Sequence, residues 1–159
     1  MRTAPLLLAL GCLCLLASPA AAQGHGGRQI RVLGVRGLTF GSLIAGMPSA
    51  VLRTDPARSG QFDITAQNGE VILVSFSLPS AMTGPGGASL PLMFAGTDAG
   101  FSQEQTINDQ VAFDPRTTHL GTTSQQGRAS IFLGGTAMPA FNQPPGDYSG
   151  TVTLTIAYP

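Results

Sequence analysis

The chain has 159 residues, eight basic and eight acidic side chains, and neither lysine nor tryptophan. That balance leaves no basic footprint for nucleic acid or an anionic lipid surface. Its 21 glycines and 12 prolines, with only 10% charged residues, fit an all-β domain rich in turns.

The first 22 residues read as a secretory leader. Arg2 supplies the positive start, residues 6–16 form a short apolar run, and Ser18-Pro19-Ala20-Ala21-Ala22 offers small residues for cleavage before Gln23. The run is too short for a comfortable membrane span. Both cysteines, Cys12 and Cys14, fall inside it, and the flanking leucines do not suit a lipid-anchored cysteine. Residues 23–159 then carry a net charge of about −1, because Arg2 leaves with the leader.

Residues 23–37 are expected to be a glycine-rich arm, with Ile30 and Val32 on one parity of a weak strand. Its His25 reads as a solvated linker residue, since a metal site needs several convergent ligands. A strand is expected over residues 38–44 and a short edge strand over 50–53. Residues 61–78 alternate apolar and polar on both sides of Asn68-Gly69, which predicts a β-hairpin. Residues 79–88 read as a loop, 90–94 as a strand placed at a sheet edge by Pro91, and 96–110 and 117–127 as irregular. Further strands are expected around Val111-Ala112-Phe113 and over 128–136.

The most regular stretch is residues 146–158. Tyr148, Gly150, Val152, Leu154, Ile156 and Tyr158 share one parity, and hydroxyl residues dominate the other. A strand with one apolar face follows. Seven to nine short strands without a helix predict an antiparallel β-sandwich, with residues 38–159 as its single domain.

Two parts of the chain resemble a bacterial secreted family of unknown function akin to spore coat protein U and pilin-like subunits. These are Leu38-Thr39-Phe40-Gly41 and the run from Ile131 through Gly146-Asp147-Tyr148 to Tyr158. The resemblance implies an immunoglobulin-like, pilin-like sandwich completed by another subunit's strand. It also implies assembly with other copies or related subunits by β-strand addition, with a periplasmic chaperone as a further partner. Ile30 and Val32 would form the donor. Gly146 and Tyr158 match the glycine and penultimate tyrosine with which such subunits close, and Tyr148, Val152, Leu154 and Ile156 would form the exchange surface. Residues 23–159 hold no cysteine, unlike many pilins, and Gly34 interrupts the donor.

No residue set carries an enzyme signature. His119 has no Gly-x-Ser-x-Gly elbow or ordered triad around it. Asp98, Glu104, Asp109 and Asp114 match no calcium-loop spacing, and no Cys/His zinc spacing occurs. No catalytic, cofactor or metal residue is therefore assigned. The expectation is a non-enzymatic structural or surface-assembly subunit, fimbrial or coat-like, secreted to the periplasm or cell surface. The alternative is a monomeric ligand-binding module, for glycans for instance, using loops 79–89, 96–110 and 116–127.

Overall fold

The computed structural model describes residues 29–159, so the expected leader, both cysteines and His25 lie outside the described residues. The described residues are all-β, with twelve short strands rather than seven to nine. They are β1 (Arg31–Arg36), β2 (Ser49–Val51), β3 (Gly60–Thr65), β4 (Val71–Ser77), β5 (Ala81–Thr83), β6 (Ser89–Met93), β7 (Ala99–Ser102), β8 (Val111–Phe113), β9 (His119–Thr122), β10 (Arg128–Leu133), β11 (Gly135–Ala137) and β12 (Thr153–Ala157).

A five-stranded sheet runs β1-β3-β10-β7-β8 and a three-stranded sheet runs β12-β4-β9, every pair antiparallel. The two sheets close as a sandwich over a core that includes Ile64, Ile72, Val74, Phe101, Ile131 and Leu133. A smaller sheet, β2-β11-β6-β5, encloses a second core of Phe40, Val51, Leu90 and Ala137. No described helix is long and apolar enough to cross a membrane.

The expected hairpin over 61–78 does not form. β3 pairs with β1 and β10, whereas β4 pairs with β12 and β9, so the chain changes sheets at Asn68-Gly69. The turn itself is there, with Gly69 at φ 66°, but its amide donates to Ser124 O at 2.9 Å instead of closing a ladder. The inward parity is as expected, and Phe62 meets Phe76 edge-on across the core at 6.2 Å. Alternation states which side of a strand is apolar. It does not state whether two such strands lie side by side or face to face.

Other expectations also change. Residues 38–44 form no strand, because Phe40 is drawn inward as an anchor of the second core. Pro91 sits in an interior strand, not an edge. Its missing amide falls where the β11 pairing ends, and its carbonyl accepts from Met138 N at 2.9 Å. The stretches expected to be loops contain β5, β7 and β9. Residues 128–136 divide at Gly134 into β10 and β11, which belong to different sheets. The closing stretch is a strand only over Thr153–Ala157, with Ser149 bridging to Thr83. Val152, Leu154 and Ile156 pack against the main core as expected.

His119 lies parallel to the Phe113 ring, with centroids 4.2 Å apart. Burial holds its pKa below the ordinary 6.5. The unfolded chain therefore takes up this proton first, and stability rises with pH between the folded value and 6.5. Chemical denaturation should show stability falling as the pH is lowered from 7.5 through about 6, and levelling once the folded imidazole is charged. His119→Gln should flatten that segment, while acid loss from Asp114, whose carboxyl Arg116 holds down to about 2, stays in place at lower pH.

Candidate functional site

An open cleft of about 980 Å³ separates residues 34–43 from residues 143–152. The first wall begins where β1 shifts register between Gly34 and Arg36 and ends after Arg36 pairs with Gln61. Arg36 donates from Nε to Ser59 O at 2.7 Å and from a terminal nitrogen to Ser59 Oγ at 3.0 Å. Thr39 N then donates to Arg58 O at 2.9 Å, and Phe40 enters the second core.

The second wall is shaped by prolines, which supply no amide donor, and by Tyr148. The Tyr148 hydroxyl accepts from Gln143 Nε2 at 2.8 Å and donates to Pro144 O at 2.7 Å. Its ring covers Gly84 so closely that any Cβ there would overlap it. Gly146, at φ 141°, lies against Pro85. Ser149 and Thr83 exchange backbone hydrogen bonds at 2.8 and 3.0 Å, tying this wall to β5.

The floor is apolar: Met82, Leu90, Leu92, Phe94, Leu133 and Val152. Among the described residues, the backbones of residues 40–43 and 150–152 make no hydrogen bonds. Buried backbone groups are almost always paired, so any occupant that displaces water here must offer donors and acceptors along its length. Arg36 and Asp147 are the charged residues lining the cleft.

The sequence-derived candidates fall into two groups. Gly146, Tyr148 and Val152 line the cleft. Leu154 and Ile156 lie further along β12 against the main core, and Tyr158 is at its far end, its hydroxyl accepting from Gln67 N at 2.9 Å. Ile30 packs on the main core, whereas Val32 is exposed on β1, which is paired with β3 of the same chain. Reasoning from the sequence passed over Arg36, Leu92 and Phe94. Their signal was weak because the cleft joins segments about a hundred positions apart. Of the three loops expected to hold a ligand, only 79–89 reaches the cleft; 96–110 and 116–127 do not line it.

The acidic group is dispersed. Asp98 caps Ala95 N at 2.7 Å and Asp114 pairs with Arg116 at 2.7 Å. Among the described residues, no three His, Cys, Asp or Glu side chains converge on a point.

Fold and cleft together define an all-β sandwich domain with an open apolar furrow at one end. A family profile described as Domain of unknown function (DUF4402) matches residues 29–158, and the chain belongs to that family. Neither the curated proteins nor the solved structures contain a match.

Proposed function

We propose that the protein is an exported, non-enzymatic structural subunit of a surface assembly, joined to other copies or related subunits by β-strand addition. The observation that carries this reading is the cleft, whose apolar floor lies between two stretches of backbone without hydrogen-bond partners among the described residues. An extended peptide supplies both needs at once, through its own amides and carbonyls and through alternate apolar side chains. The donor is the segment holding Ile30 and Val32, which must first leave β3 of its own chain. The periplasm or cell surface is the proposed site of action, following the leader, and a chaperone would protect the cleft before assembly.

The test is the size of the purified protein with and without residues 23–37. The full protein should form ladders or fibres, and the deletion should remain folded but monomeric. Oligomers that survive the deletion would reject strand donation by this arm.

One observation favours a second reading, a monomeric ligand-binding module in the same compartment. The cleft volume lies at the upper end of the range for small-molecule sites, roughly 300–1,000 Å³. A clean monomer that binds an added glycan or apolar ligand, with binding lost on Leu92→Arg, would favour it.

A further inference from the structure

Val32 of β1 lies opposite Ile64 and Gly34 opposite Phe62, while Phe62 faces the core residue Ile131 on its other side. Directly opposed residues share a face, so Gly34 is an inward position. Beyond it the register shifts, and Arg36 falls opposite Gln61 on the outer face, where it donates to the buried Ser59. Gly34 is therefore the last inward position of β1, and it has no side chain.

No other group takes its place. A Cβ added at Gly34 would meet no atom within 4 Å. Cover along β1 thins in steps: Ile30 packs on the main core, Val32 is 39% exposed, and at Gly34 there is none. Phe62 stays half-buried as a result and lines the cleft together with Gly34, Leu38 and Val152. The backbone does not demand glycine here, because Gly34 is not one of the glycines at positive φ. Nor does the register shift, since the bulge that needs glycine uses a left-handed one. A glycine inside a strand weakens it and often marks close approach of a ligand or another backbone.

We propose that the space beside Gly34 is the specificity pocket of the cleft, and that it takes one aliphatic side chain from the strand added by another copy. This deepens the strand-addition reading and rests on it. The receiving copy is one whose own β1 still lies on β3. An aliphatic group suits the place because Phe62, Leu38 and Val152 are apolar and the Arg36 guanidinium is turned to Ser59. Ile30 and Val32 of the donor share a parity, so they project to one side of the added strand, and one of them enters the pocket. Glycine at position 34 keeps the pocket open; any larger apolar residue there would close it from within.

The experiment measures binding of a fluorescent peptide of residues 23–33 to the dilute full chain by anisotropy. Wild type should bind it. Gly34→Ala adds only a Cβ and should bind within about twofold of wild type. Gly34→Leu fills the pocket and should bind about tenfold more weakly or worse, the fold-change that burying one aliphatic side chain supplies. Both variants should unfold in urea no earlier than wild type, since each adds apolar cover to a strand position with room for it. Peptides carrying Ile30→Ala or Val32→Ala complete the test. One of the two should bind wild type more weakly than the unaltered peptide does, yet bind Gly34→Leu more tightly, because it brings no large side chain to a filled pocket. A merely structural effect of Gly34→Leu would not reverse that order. Equal binding by wild type and Gly34→Leu, the same peptide order in both proteins, or early unfolding of Gly34→Leu would overturn the pocket while strand addition stands. A wild type that takes up no peptide would overturn both.

Discussion

Gly134→Ala is expected to destabilise the protein by about 3 kcal/mol, near the upper end for overpacking a well-filled site. Gly134 stands between β10 and β11, where the chain passes from the five-stranded sheet into the small one. A Cβ there would overlap Val51 O and sit 2.7 Å from Arg53 N and 3.0 Å from the Leu52 carbonyl carbon. All three are backbone atoms, so no side-chain rotation relieves the clash. Moving them apart breaks the β2–β11 pairing, where Gly135 lies opposite Val51, and strains the Gly134 N to Asp98 O bond of 2.7 Å. Both cores suffer, because Leu133 belongs to one and Val51 and Ala137 to the other. Urea denaturation measures the effect. Gly37→Ala is the control: its Cβ meets nothing within 4 Å, and a change within about 0.5 kcal/mol is expected. Equal losses in the two variants would mean that Gly134 is not a close backbone contact.

The same residue shows where the sequence stops being legible. Alternation correctly turned Ile64, Ile72 and Val74 inward, since a strand's two faces differ in the solvent they meet. Residues 128–136 nevertheless read as one strand, because a sheet switch at a glycine leaves the apolar pattern unbroken on both sides. β7 and β9 were invisible for a related reason. Their sheet faces are covered by side chains reaching in from elsewhere, so the strands themselves need small residues. Arg53 and Gln110 lie over Gly100, and the Phe101 ring lies on Gly121, where a Cβ would collide with it. Glycine and serine in such strands look like loop composition until the covering groups are known.

The candidate site was legible in halves. The run from Gly146 to Val152 stood out by its parity and its flanking prolines, and it forms one wall of the cleft. The opposing wall was read as a strand, because Leu38 and Phe40 sit at the alternate spacing of a half-buried strand. Those residues face the second core with Val51, Leu90 and Met82, which no local pattern announces. A cleft made by segments a hundred residues apart is a property of topology, and the topology turned on one turn misread as a hairpin.

That turn supplies the second large effect: Thr123→Val should cost about 2 kcal/mol, and Thr123→Ser less than about 1. Two crossings between the sheets lie against each other here, one through residues 66–70 and one through 123–127. Ala66 N donates to Gly127 O at 2.8 Å, Gly69 N to Ser124 O at 2.9 Å, and Thr123 N to Glu70 O at 2.9 Å. Thr123 is only 1% exposed, and its hydroxyl closes the arrangement. It donates to Gln67 O at 2.6 Å and accepts from Glu70 N at 3.1 Å. Valine keeps the shape but removes both bonds, and an unpaired buried carbonyl costs more than a hydrogen bond contributes. Serine keeps the hydroxyl and loses one methyl. A hairpin at Asn68-Gly69 would not need Thr123, because its ladder would close between residues on either side of the turn. The ranking of the valine and serine variants by urea denaturation therefore tests the crossing itself, and faster amide exchange at Gly69 and Glu70 in Thr123→Val should accompany the loss. If valine proves as stable as wild type, the two crossings are not held together through this side chain, and the separation of β3 and β4 into different sheets loses its main polar tie.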